Sequence, residues 1–221
     1  MQLKLNQYIT LGVLSLTVAT ICYFGFNGEP VEAPKPYDNM ITVLTTDGLN
    51  NKQRFDGLFY EYFQITKIDG WRVKAIRLKG IYSMYFMEKT NGDSRNILQW
   101  PDKNRYELIV DKQGTTLLSA VPLVPPLKQI QIMDINQLAL YVEDLVSHVM
   151  PATKIAYLED IKQSDHSERP MTLELNGTSL LNLQELGTLL DGLPVAFSQA
   201  ELLNNQSNQL TGEINLILFG V

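Results

Sequence analysis

The feature that most constrains the fold is a unit written twice toward the C-terminal end. Leu138, Tyr141, Val142, Leu145 and Val149 recur at helical spacing within 136–149, so one apolar stripe runs along a helix there. Pro151 stops it. Lys154–Ile161 and Met171–Leu175 then read as two strands, the second with Met171, Leu173 and Leu175 on one side. The order returns: Leu183, Leu186 and Leu190 mark a helix over 181–190, Gly192 to Pro194 ends it, and Val195–Leu203 and Gly212–Phe219 follow as strands. Ile155 and Tyr157 correspond to Val195 and Phe197, and Leu173 and Leu175 to Leu216 and Leu218, at an offset of roughly forty residues. Asp134 with Gln137, and Ser179 with Asn182, stand where side chains satisfy first-turn amides. Two αββ units can pair into one four-stranded antiparallel sheet with both helices on one face, so residues 127–221 are expected to form a ferredoxin-like α+β domain. Its opposite face would carry Ala156, Leu158, Glu174, Ser198 and Asn215, mixed in character and able to stay wet or meet a partner.

Upstream the pattern differs. Phe55, Leu58, Phe59, Tyr62 and Phe63 form a helical stripe, and Trp71–Leu78, Ile81–Glu88, Asn96–Trp100, Tyr106–Val110 and Thr115–Val121 are short β-prone runs. Turn signals at Asn91-Gly92, Pro101-Asp102 and Asp111 to Gly114 separate these runs, which predicts an antiparallel meander. Pro122, Pro125 and Pro126 lack backbone donors and stop strand pairing. A helix plus β-rich domain over 49–126 is therefore expected, with a boundary before residue 127.

Between Lys4 and Glu29 no residue is charged, and 8–26 is apolar, serine, threonine, glycine or aromatic. About 20 such residues at about 1.5 Å each match a hydrocarbon core of about 30 Å, so residues 1–27 read as a short cytoplasmic start and one transmembrane helix. Lys4 lies before the apolar run and Glu29 and Glu32 after it, which places the N-terminus inside and the remainder in the periplasm of a bacterial inner membrane. Gly28, Pro30, Pro34 and Pro36 make 28–48 a semi-rigid spacer. A cleaved signal peptide is the competing reading, although no A-x-A site follows the run. A lipoprotein would need a small residue before Cys22, where Ile21 stands.

A net charge of -6 and no basic cluster argue against nucleic acid as a partner. Cys22 is the single cysteine and His148 and His166 the two histidines, so no thiol or metal spacing arises, and no cofactor is expected. Glu143-Asp144 and Glu159-Asp160 are adjacent pairs whose side chains diverge. No G-x-S-x-G, Walker loop, G-x-G-x-x-G or H-E-x-x-H occurs, and a non-enzymatic chain without catalytic, cofactor-binding or metal residues is expected. Asn176-Gly177-Thr178 reads as a turn. Trp71, Tyr82, Tyr85 and Trp100 are the residues that would line a ligand or peptide site if the β-rich part binds one.

One membrane helix followed by a periplasmic (αββ)2 domain resembles the inner-membrane platform proteins of type IV pili and type II secretion systems, the PilO and GspM families. Leu186–Phe197 (LGTLLDGLPVAF) followed by Leu210–Gly220 (LTGEINLILFG) carries the likeness, over about 95 residues. Those families place a coiled coil between membrane and domain; here a proline spacer and a β-rich module stand instead. The resemblance implies a non-catalytic assembly component that pairs as a homo- or heterodimer with other platform subunits. The alternative from the residues themselves is a membrane-anchored binding or sensing module.

Overall fold

The computed structural model describes residues 33–35, 40–43, 51–79, 82–90, 94–99, 106–111, 114–119, 128–205, 207 and 209–221. The expected membrane segment at 8–26, Trp100 and the prolines 122, 125 and 126 lie outside them. Among the described residues no helix is long and apolar enough to cross a membrane.

The protein is α+β, with three α-helices among the described residues and a mostly antiparallel sheet. In chain order the elements are β1 (Met40–Val43), α1 (Asn51–Ile65), β2 (Trp71–Lys79), β3 (Tyr82–Lys89), a 3-10 turn (Ser94–Gln99), β4 (Tyr106–Asp111), β5 (Gly114–Ser119) and β6 (Lys128–Gln131). Then follow α2 (Ile135–Val149), β7 (Lys154–Tyr157), β8 (Ile161–Lys162), β9 (Ser167–Thr178), α3 (Leu180–Leu189), β10 (Val195–Asn204) and β11 (Leu210–Gly220). β1 falls inside the stretch expected to be spacer, where it pairs with β6 as a two-stranded sheet.

Local chemistry sets the helix starts. The Asp134 carboxylate accepts from the amides of Asn136 and Gln137, both at 2.9 Å, and Ser179 forms a capping box with Asn182. The Asn182 amide also donates to the Val149 carbonyl at 2.8 Å, which ties the start of α3 to the end of α2. α2 buries Leu138, Val142 and Val146, and α3 buries Leu183 and Leu186. Each such leucine contributes about 1.5–3 kcal/mol by leaving water.

Nine strands form the main sheet, in the order β4-β5-β3-β2-β10-β11-β9-β7 with β8 also on β9. The (αββ)2 half supplies β10-β11-β9-β7, and its outer strand β10 pairs with β2 through Lys79↔Gln199 to Ala75↔Leu203. Strands from both sides of the expected boundary thus share one sheet, and Ala33–Val221 is one compact unit. Alternate residues point to the main core: Tyr85 and Met87 of β3, Ile76 and Leu78 of β2, Ala200 and Leu202 of β10, Ile214 and Leu216 of β11, and Met171 and Leu173 of β9. Residues of all three helices belong to the same cluster, so they cover this one face.

Two glycines mark close approaches. The Phe55 ring of α1 sits on Gly187 of α3, where an added Cβ would lie 2.6 Å from it, and Phe55 meets the Phe197 ring edge-on at 5.6 Å. Gly212 has φ +139, and a Cβ there would come within 2.0 Å of the Glu201 carbonyl oxygen on β10.

The β-rich region is not a simple meander. Asn96–Trp100 was expected as a strand, but Ser94–Gln99 is a 3-10 turn that sends Ile97 into the core and leaves Leu98 exposed. Asn96 donates to the Asp69 carbonyl at 3.2 Å, which holds the segment beside the turn before β2 instead of in a ladder. The strand after it, β4, lies outside β5, giving the order β2-β3-β5-β4. In α1 the expected stripe is narrower: Phe55 and Leu58 are buried, Tyr62 is partly buried, and Phe63 is exposed beneath the Lys67 ammonium. Asn176-Gly177 is a bulge at the end of β9, with Gly177 at φ +73, and not a free turn.

Candidate interaction surfaces

No described helix covers the other face of the sheet, whose composition follows from strand alternation; at one end of it Ile132 packs on the buried Phe219 with Ala196 and Ile217 in a second, small apolar cluster. Glu201, Glu213 and Glu174 stand side by side on β10, β11 and β9. Like charges opposite one another repel. A cation closes each end of the row: Arg77 reaches Glu201 at 2.9 Å, and Lys154 reaches Glu174 at 3.2 Å. Next to this row Thr172 donates to Asn215 at 2.7 Å. Glu174, Asn215 and the exposed Ala156 and Leu158 occupy the face expected of them, and Ser198 sits in a bulge of β10 between Phe197 and Gln199.

Over β2, β3 and β5 the same face dips into an open hollow of about 660 Å³, lined by Trp71, Lys74, Arg77, Phe86, Lys89 and Thr116 among others. A bulge between Val73 and Ala75 places Lys74 here. Arg77 lies over the Phe86 ring at 5.6 Å, and the neighbouring Arg72 pairs with Glu88 at 2.7 Å. Of the three described aromatic residues expected at a ligand site, Trp71 alone lines this hollow. Tyr85 points the other way, fully buried, and its hydroxyl donates to the Glu61 carboxylate at 2.6 Å. Burial, and then the Glu61 charge, raises its pKa well above the usual phenol value. Tyr82 is exposed on the open face outside the hollow lining, and Trp100 lies outside the described residues. Phe86, Arg77 and Lys74 were missed, although apolar residues at both parities of β3 (Tyr82, Met84 and Phe86 beside Tyr85 and Met87) signal that both faces carry apolar groups.

The two ends of the sheet differ. At the β7 end the strand is four residues long, and the chain leaves it through Leu158, Glu159 and Asp160. Arg169 of β9 fastens that exit with paired bonds to Asp160 at 2.7 and 2.8 Å and a third to Asn136 at 3.0 Å. The hydrogen bond from Arg169 holds the Asp160 carboxyl below its usual range. Tyr157 sits near the same guanidinium, its pKa raised by burial and by its hydrogen bond with Glu143, so Glu143 belongs to this corner while Asp144 is exposed. At the other end β4 has six residues and exposes Ile109 on the open face and Val110 on the helix side, at 40% and 69%.

His148 is exposed in the last turn of α2. His166 lies between Asp165 at 2.7 Å and Glu168 at 3.4 Å, with its ring 6.0 Å from that of Phe219. Among the described residues no group of three or more His, Cys, Asp or Glu side chains is placed to hold a metal ion. No protein family matches the sequence, and no curated protein or solved structure is significantly similar to it.

Proposed function

We propose that the chain is a non-catalytic assembly component of a type IV pilus or type II secretion machine, held in the bacterial inner membrane by residues 1–27 with its N-terminus cytoplasmic. Its folded part, in the periplasm, works through contacts with other platform subunits, as a homo- or heterodimer. The observation that carries this reading is the strand order β10-β11-β9-β7 with α2 and α3 on one face, the arrangement a ferredoxin-like (αββ)2 domain requires. The uncharged run from residue 5 to 28 supports the anchor. The exposed side chains on the sheet face away from the helices, and Ile109 and Val110 of β4, offer contact surface.

The β10 edge of the (αββ)2 half is occupied by β2 of the same chain, so subunit contacts fall on the remaining ends or the open face. Capture of full-length, membrane-extracted protein through a C-terminal tag, followed by mass spectrometry, should recover pilus or secretion subunits. A tagged chain that elutes without them, from membranes that contain the machine, would sink the reading.

A second reading, a membrane-anchored ligand- or peptide-binding module, draws on the hollow beside Trp71 and Phe86. A ligand that raises the melting temperature of the protein, with the rise lost in Phe86→Ala, would favour it.

A further inference from the structure

We infer that the hollow over β2, β3 and β5 holds an acidic peptide segment of a partner protein, laid across the strands with its carboxylates on Lys74 and Lys89. The inference rests on the assembly reading above and gives that contact a chemistry and a place. Register sets Leu203 beside Ala75, Ala75 beside Phe86, Phe86 beside Thr116, and Thr116 beside Ile109. These residues make one mostly apolar row over five strands, on the side that no described helix covers. Its two ends are exposed, Leu203 at 59% and Ile109 at 40%, and Phe86 in the middle is half-buried. Strands about 4.8 Å apart give the row a length of about 19 Å, which about six extended residues span. A small molecule needs most of its surface enclosed, which an open hollow does not provide, whereas a chain can lie along such a row.

Charge decides which chain. The protein carries a formal net charge of -6, yet the charged residues lining the hollow are Lys74, Arg77, Lys89 and Glu88. Glu88 is answered by Arg72 at 2.7 Å, and Arg77 by Glu201 at 2.9 Å. Lys74 and Lys89 are exposed and have no carboxylate partner among the described residues. Lys74 stands next to Ala75 in the β2 bulge, and Lys89 follows Phe86 by three residues on β3, so both lie on the same side of the row. The other side carries the Arg77–Glu201 pair, with Glu213 and Glu174 beyond it. An acidic segment is repelled there and drawn toward the two lysines, while its apolar side chains cover Ala75 and Phe86.

The test selects short random peptides on full-length protein in lipid nanodiscs. Enriched sequences should set at least two acidic residues beside an aromatic or aliphatic one. A fluorescein-labelled peptide of the enriched sequence should bind the Lys74→Glu, Lys89→Glu protein at least ten-fold more weakly by anisotropy, at an unchanged melting temperature. Lys67→Glu with Lys162→Glu, which reverses two exposed lysines outside the hollow, should bind it as the parent does. Enrichment of basic or uncharged peptides, no enrichment, or equal binding by the Lys74→Glu, Lys89→Glu protein would overturn the site. Recovery of pilus or secretion subunits by that variant at the parental level would overturn the site as their contact and leave the assembly reading standing. Peptide selection that succeeds where the parent chain recovers no such subunits would keep the site and sink the assembly reading.

Discussion

β7 and β10 hold equivalent places in the two αββ units, each the outer strand of its pair, yet one has four residues and the other ten. The difference follows from what lies beyond each. β10 receives β2 along Gln199–Leu203 and can run on as regular strand, because its outward amides and carbonyls are met. β7 has no described strand beyond it and ends early, its exit fixed by the Arg169–Asp160 pair and its one cation at Lys154 facing solvent. Sequence repetition thus sets topology, and the neighbour sets length. Among the described strands the sheet therefore ends at β4, at the far side of the half-sheet that covers β10, and not at β10.

Removing that half-sheet should break the comparison most severely. A fragment of residues 127–221 loses β2 from β10 and the Phe55 contact on Gly187 and Phe197, and it is expected to aggregate or to lose its cooperative melt. A monomeric fragment melting as residues 33–221 do, by calorimetry and size-exclusion chromatography, would show that β10 does not depend on β2. Gly212→Ala drives a methyl into the Glu201 carbonyl and should cost about 2–4 kcal/mol in urea denaturation.

Tyr85→Phe removes the hydroxyl that donates to the Glu61 carboxylate in the half-sheet that covers β10, at about 1–3 kcal/mol. Because the folded pKa of Tyr85 is raised, its contribution is fully present below about pH 10 and is lost as the pH rises through the folded value. The variant should therefore lose stability less steeply in alkali than the parent. On the β7 side, Asp160→Asn removes the charge-assisted pair to Arg169 and should cost about 1–2 kcal/mol. The Asp160 pKa is lowered on folding, so its stabilisation is present above the ordinary carboxylate range and fades as the pH falls through the folded value. A melting-temperature profile from neutral to acid pH should flatten in the variant. Lys154→Ala, at an exposed pair, should change stability by less than about 0.5 kcal/mol.

What was legible in the sequence was local. Asp134 and Ser179 announce their helices because the caps act within three residues, and Met171, Leu173 and Leu175 announce a strand because its faces alternate. The β2–β10 pairing left no such mark: Ile76 and Leu78 read as core whichever neighbour they receive, and Pro122 to Pro126 suggested a boundary that the sheet runs across. Asn96–Trp100 misled because a short apolar run serves a 3-10 turn as well as a strand. For the same reason Tyr85 seemed available to a ligand; the phase of β3, and so the face each aromatic residue takes, depends on its register with β2.

The β2–β10 seam also sets a timetable for synthesis. β2 to β5 leave the ribosome well before β10 is made, so the chain must hold β2 without its β10 neighbour until the second αββ unit arrives. Closing the seam spans most of the folded length, which makes it a slow step. Substitutions that weaken β10 are thus expected to show first in poor yield, before any change in the finished protein's contacts.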